Sequence, residues 1–158
     1  MATAMARSAA RLAAVQALYQ MEVAEKGLND ILAEFETFWI GNEIEGEQYN
    51  DAEIAFFQDI LKGVLADQGP LDRLIDKTLV EGWPLARIVS LLRAILRAGA
   101  YELKKRRDVP ARVVIKEYVD VAGAFFGIEE AGMINAVLDA LARSLRAPEF
   151  MPKTADLA

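Results

Sequence analysis

Nine cations and two acids occupy the stretch from Arg87 to Lys116, in a chain of 158 residues whose formal charge is −6. Arg93, Arg97, Lys104, Lys105, Arg106, Arg107 and Lys116 are the side chains here whose type and crowding suit chemistry. That chemistry is polyanion binding, in which guanidinium and ammonium groups replace the small cations condensed on a phosphate backbone. Elsewhere the balance inverts, with fifteen acids against four basic residues between Glu22 and Glu81. A plainer reading stands beside it, because Lys and Arg also gather at a helix C-terminus to meet its dipole. Four consecutive cations, Lys104 to Arg107, exceed what capping needs. Tyr101, between Arg97 and Lys104, allows two readings: stacking on an unpaired base, or packing in the core with its hydroxyl at the rim. Arg7 and Arg11 lie one helical turn apart with no acid before Glu22. They form a small positive patch, or simply part of a soluble, fraying N-terminus.

Other chemistries lack their parts. With no cysteine and no histidine, the chain has no thiol nucleophile, thiolate site or imidazole base. The acidic run around Glu43, Glu45, Glu47, Asp51 and Glu53 lacks the spacing of a calcium loop and reads as solvated. The glycines form no phosphate-cradling motif, and no carboxylate pair stands out for hydrolysis. We expect no metal, no cofactor and no enzymatic activity. No apolar run approaches the roughly 18 to 20 residues that span a bilayer. Gln16 and Gln20 interrupt what would be a signal-peptide core, so a cytoplasmic protein without membrane contact is expected.

The elements that must hold these side chains are helices, since apolar residues recur at three and four and hairpin signals are missing. The pattern predicts an all-α, single-domain bundle of about seven helices over residues 1–146, followed by a flexible tail, 147–158. The helices expected are Arg7 to Ala24, stopped by Gly27; Leu28 to Ile40; one capped by Asn50 with Glu53; one opened by Gly69-Pro70; Pro84 to Leu103; Pro110 to Phe126; and Glu129 to Leu145. Residues 41–49 read as a loop. At about 100° per residue, Arg97 and Lys104 fall within about 40° of Arg93, and Tyr101 within about 80°. The apolar residues of that helix take the other side, so one face is core and the other basic. Tyr19 and Val23 fall on one side of the first helix with Leu12, Val15 and Leu18, and Val113 and Phe125 are among the apolar residues of the sixth.

Three stretches carry a family resemblance: RLAAVQALYQ (Arg11 to Gln20), LRAGAYELKKRRDVP (Leu96 to Pro110), and the run from Val113 to Asp139 with VVIKEYVDVAGAFFG and MINAVLD. In this order they resemble the NusB family of bacterial transcription antitermination factors. The resemblance implies a non-catalytic helical protein that pairs with a small-subunit ribosomal protein, called NusE in this role. It would bind the boxA RNA of nascent ribosomal transcripts and join the elongating RNA polymerase complex. It also implies that Arg7 and Arg11 stand in an N-terminal arginine motif that is denser in relatives, which shifts load onto Arg97, Lys104, Lys105, Arg106 and Arg107. Gln16 and Tyr19 match a QALY segment where they either face RNA or pack. Lys116 stands where the family commonly has asparagine, adding a positive charge. NusE is expected at the turn around Phe126, Glu129 and Glu130, with the acids facing basic groups. Charge reversal from Lys104 to Arg107 is expected to leave the fold and abolish RNA binding. Two alternatives stand: a NusB-like domain serving an RNA methyltransferase, for which no methyl-donor loop is present, and a protein-binding scaffold or homodimer without specific RNA binding.

Overall fold

The computed structural model describes residues 4–41, 51–79 and 85–151, apart from the side chains of residues 4, 5, 36–41, 51, 52 and 87. The three-and-four spacing of apolar residues is realised as seven α-helices, with no strand among the described residues. They are α1 (Ala4–Ala24), α2 (Leu28–Gly41), α3 (Asp51–Ala66), α4 (Gln68–Thr78), α5 (Ser90–Lys105), α6 (Ala111–Phe125) and α7 (Ile128–Leu145). A 3-10 turn, Leu85–Arg87, leads into α5, and a 3-10 helix, Ala147–Phe150, follows α7.

The axis of the bundle is α5, which packs against α1, α3, α4, α6 and α7. From Ala94 to Leu103 every residue except Arg97 is buried. A helix surrounded on all sides needs small side chains where its neighbours come close, and Ala94, Ala98, Gly99 and Ala100 supply them. A Cβ added at Gly99 would stand 2.8 Å from Leu138 Cδ1 of α7. The Tyr101 ring lies against Gly63 of α3, where an added Cβ would meet it at 2.2 Å. Around α5 the core is completed by Val15 of α1, Phe57, Ile60 and Leu61 of α3, Leu71 and Ile75 of α4, Val114 and Tyr118 of α6, and Ile134, Leu138 and Leu141 of α7. Phe35 of α2 stacks on Phe57 with ring centres 5.4 Å apart.

Several details differ from the sequence expectation for physical reasons. α5 begins at Ser90, because the preceding segment is tied to α4 instead: Leu85 N–H donates to Asp76 Oδ1 at 2.7 Å. Gly69 and Pro70 lie inside the first turn of α4, where a missing N–H costs nothing, and the break from α3 falls at Asp67. The left-handed residue after α1 is Glu25, with φ 54°, at a cost of about 1 kcal/mol for a residue with a Cβ. Gly27 instead starts α2, its carbonyl accepting from Ile31 N–H at 3.1 Å. Tyr19 and Val23 on the apolar side of α1, and Val113 and Phe125 among the apolar residues of α6, are exposed, because the bundle buries less of these helices than their apolar stripes offer. Residues Ala147–Phe150, expected to fray, form a hydrogen-bonded turn anchored by the buried Arg146. The loop from 42 to 49, the Asn50 cap and the Trp83-Pro84 start lie outside the described residues.

Candidate nucleic-acid interface

Arg93, Arg97 and Lys104 share one side of α5, as their spacing requires, and that side is covered. Arg97 Nε and Nη2 donate to the two Asp72 carboxylate oxygens at 2.8 and 3.0 Å, with Glu22 Oε2 3.5 Å from its Nη1. Arg93 gives its guanidinium to Glu22 and to the carbonyls of Ala86 and Ile88. Burial, and then the neighbouring Arg97, push its pKa below the ordinary arginine value. Lys104 Nζ donates to Asp67 Oδ2 at 2.7 Å. That carboxylate is therefore engaged away from the N-terminus of α4, where Asp67 makes no side-chain cap. The acid-rich helices thus meet the base-rich one inside the fold, and the basic face read from the helical wheel is a set of half-buried ion pairs.

Tyr101 is 7% exposed and donates its hydroxyl to Asp59 Oδ1 at 2.8 Å. Burial, then Asp59, push the phenol up to about 12. Of its two readings the core one holds, and no ring face is offered for stacking. Arg11 is 2% exposed. Its Nε and Nη2 donate to Glu102 at 2.8 and 3.0 Å, and its Nη1 lies 3.2 Å from Glu117 Oε1. Tyr118 OH donates to Glu102, and Ser8 Oγ donates to Glu117 Oε1 at 2.8 Å. This buried network joins α1, α5 and α6, so Arg11 is placed where it staples helices rather than at the surface.

Arg106 is spent in the same way. Its Nε and Nη2 donate to Asp108 at 3.0 and 3.1 Å, and its Nη1 donates to Asp59 Oδ2 at 3.0 Å. Its guanidinium lies 4.8 Å from the Phe56 ring centre, a ring that Arg7 and Arg11 also cover at 4.9 and 5.0 Å. The hydrogen bond from Arg106 foremost holds the Asp108 carboxyl below its usual range. Reversing Lys104 and Arg106 to glutamate would set acids against Asp67, Asp59 and Asp108. The expectation that reversal from Lys104 to Arg107 spares the fold is corrected accordingly.

What remains open is a shorter row of cations. Lys105 and Arg107 at the end of α5, and Arg112 and Lys116 on the outer face of α6, are exposed. Among the described residues no acid forms an ion pair with Lys105, Arg107 or Arg112. Lys116, 78% exposed, holds only Asp120 one turn on at 2.9 Å, a contact that solvent screens. Arg112 and Lys116 line a groove of about 390 Å³ with Ile115, Val119, Asn135 and Phe150. Arg143 lies 4.7 Å over the Phe150 ring. Half-buried Arg7, on Phe56 beside Arg106, brings the start of α1 to the same end of the bundle. Arg112 joins this row without being singled out in the sequence, its one signal being its spacing of four from Lys116.

Gln16 and Tyr19 lie elsewhere. With Gln20, Phe35, Leu91 and Phe125 they line a cleft of about 500 Å³ between α1, α2, the start of α5 and the end of α6. The cation row belongs to the end of α5 and the first half of α6, about 14–20 Å away along these helices at 1.5 Å per residue. At the neighbouring turn, Phe126 is half-buried and Glu130 Oε2 accepts the Gly127 N–H at 3.1 Å, capping α7. Glu129 is exposed, as are Phe125 at 44% and Ile128 at 92%. This end of the molecule therefore offers apolar surface more than a pair of acids. Among the described residues no group of acids gathers as a metal site, and no helix is long and apolar enough to cross a membrane.

Against known proteins, the model of the NusB family matches residues 8–143. The transcription antitermination protein NusB of Rhodopseudomonas palustris (strain BisB18) is 67% identical over 144 residues, covering 91% of this chain and 85% of that protein. The solved structure of T. maritima NusB superposes with a TM-score of 0.78 at 28% identity, covering 95% of this chain and 99% of that one. A crystal structure of antitermination factors NusB and NusE in complex with dsRNA has the same fold, with a TM-score of 0.75 at 20% identity over 90% of this chain and 99% of that one. The helix order, the matched span and the identity agree, and the chain belongs to the NusB family.

Proposed function

We propose that this chain is a cytoplasmic transcription antitermination factor that binds boxA RNA of nascent ribosomal transcripts together with a small-subunit ribosomal protein, NusE, and joins the elongating RNA polymerase complex. The family is non-catalytic, and the relative with 67% identity is a transcription antitermination protein. A neighbour of the same fold was crystallised with NusE and RNA. The observation that carries the reading is the row Lys105, Arg107, Arg112 and Lys116, the cations between Arg93 and Lys116 that stay exposed while Glu22, Asp72, Asp67 and Asp59 take Arg93, Arg97, Lys104 and Arg106. We assign RNA to this row and to Arg7, in place of the covered Arg93, Arg97, Tyr101, Lys104 and Arg11. NusE is assigned to the cleft of Gln16, Tyr19 and Phe125 and the adjoining turn with Phe126, Ile128 and Glu129, where an apolar partner surface would cover exposed rings.

Neutralising the row tests the reading. Four phosphate contacts to a single strand give a slope of roughly −3 for log affinity against log salt. The variant Lys105→Gln/Arg107→Gln/Arg112→Gln/Lys116→Gln should melt like the parent and lose most of its boxA affinity, while a partner-dependent gain in selectivity over a scrambled strand should need the Tyr19 cleft. Parental affinity in the folded quadruple variant would reject the site. Absence of any RNA binding at low salt, with or without NusE, would leave a protein-binding scaffold.

A further inference from the structure

Arg146 follows the last helix and is 1% exposed, yet its guanidinium serves residues forty positions earlier. Its Nε donates to Leu103 O at 2.9 Å. Its Nη2 donates to Glu102 O at 2.9 Å and to Arg106 O at 2.8 Å, and its Nη1 donates to Val109 O and to Glu149 Oε2, the latter at 3.1 Å. Five N–H groups are what an arginine has, and all five are used. Four of the acceptors are carbonyls of the α5 C-terminus and the turn beyond it. Glu149 completes the arrangement from the other side, its Oε1 accepting the Ala111 N–H of α6 at 2.9 Å. A cation thus closes the negative end of one helix while an anion closes the positive end of the next.

The turn so held carries Lys105 and Arg107 into Arg112. Its one backbone hydrogen bond between non-helical residues is Val109 N–H to Arg106 O at 3.1 Å; the side chain of Arg106 ties it to Asp108 and Asp59, and the carbonyls of Arg106 and Val109 are held by Arg146. We propose that Arg146 and Glu149 are positioning residues for RNA binding: they set the Arg106–Pro110 turn so that Lys105, Arg107 and Arg112 meet successive phosphates without first having to be ordered. This rests on the reading that the cation row contacts RNA. A preset turn keeps the ordering entropy out of the binding step, and neither residue needs to touch RNA itself.

The test uses the whole chain, a boxA single strand as probe, and salt titration of affinity, beside thermal melting and hydrogen exchange of the turn amides. Arg146→Met, assayed where it is folded, should lose roughly tenfold in affinity and flatten the salt slope by about 1, as expected when one or two phosphate contacts are no longer held. Its Arg107 and Val109 amides should exchange faster while those of α7 do not. Arg146→Lys should recover part of the affinity, since an ammonium has three donors on one point rather than a planar fork. Glu149→Gln, at a side chain 40% exposed, keeps the fold and should show a smaller loss in the same direction. Parental affinity and slope in folded Arg146→Met, or in Glu149→Gln should the first variant not fold, overturn the proposal. Lys105→Gln/Arg107→Gln separates the two levels: if it binds RNA like the parent, the RNA reading of this turn falls, and the positioning role with it.

Discussion

Glu102→Gln removes one negative charge at nearly constant volume from the most enclosed polar site in the bundle. Glu102 is fully buried and receives two hydrogen bonds from Arg11 and one from Tyr118. Burial works against the Arg11 charge, but the Glu102 hydrogen bond and charge outweigh it, and the guanidinium is held above its ordinary pKa. The variant therefore leaves a cation that keeps its proton and has only Glu117 nearby, at 3.2 Å and 20% exposed. Breaking a buried pair by removing one partner costs about 3–5 kcal/mol, and the surviving Glu117 contact puts the expected loss at about 3 kcal/mol. In a chain of 158 residues that lowers Tm by about 6–12 °C. Thermal melting and urea titration measure it, and a loss under about 1 kcal/mol would refute the assignment of Glu102 as the counter-charge of Arg11. A second arm removes the whole network: Arg11→Met/Glu102→Met/Tyr118→Phe should regain most of the loss, because a buried ion pair replaced by apolar groups is often neutral. The triple variant should also bind RNA like the parent, since Arg11 lies inside the fold. A fall in its RNA affinity while folded would return Arg11 to the interface.

Three further outcomes are expected. Tyr101→Phe should cost about 1 kcal/mol for the lost hydrogen bond to Asp59 and leave RNA affinity unchanged; a large RNA defect in the folded variant would reinstate the ring as a stacking platform. Gly63→Ala should destabilise by about 1–3 kcal/mol despite its better helix propensity, because the new Cβ would sit 2.2 Å from the buried Tyr101 ring. Melting at or above the parental Tm would contradict that contact. Glu53 is 1% exposed and burial pushes its carboxyl up to about 7, so its contribution is fully present below about pH 4.5 and is lost as pH rises through about 7. Glu53→Gln should therefore gain stability relative to the parent as pH rises from about 5 to 8, and parallel urea midpoints for both proteins across that range would argue against it.

Helix positions were legible because the three-and-four spacing of apolar residues is local. Leu92, Ile95, Leu96 and Leu103 announce α5 without reference to anything else in the chain. What covers the other side of α5 was not legible, since the pairs that close it join residues 25 and 71 positions apart, and a helical wheel assigns a face without saying what meets it. A signal was present in Ala94, Ala98, Gly99 and Ala100, small residues on a helix that has neighbours on every side. The cations that stay exposed differ from those that do not only in which acids fold against them, so Lys105 and Arg106, adjacent in sequence, part company in space. Arg146 sits among prolines in what reads as a tail, and its partners near Leu103 and Val109 cannot be inferred from its surroundings in the chain. The family resemblance was legible in QALYQ, YELKKR and NAVLD, motifs of which the structure buries Ala17, Leu18, Tyr101, Glu102, Leu103, Val137 and Leu138 and leaves Gln16, Tyr19, Lys105 and Asn135 exposed.

The meeting of acidic helices with α5 has a consequence for how the chain finds its fold. Before any helix forms, a segment rich in carboxylates is followed directly by one rich in guanidinium and ammonium groups, and the two attract within the denatured ensemble. At low ionic strength the Debye length, about 10 Å at 0.1 M, lets that attraction bias early collapse toward pairing α5 with α1, α3 and α4. Once formed, the pairs are half-buried and sheltered from added salt. Ionic strength therefore acts more on the refolding rate than on the unfolding rate, and the charge pattern that hides a basic face in the native protein also guides its assembly.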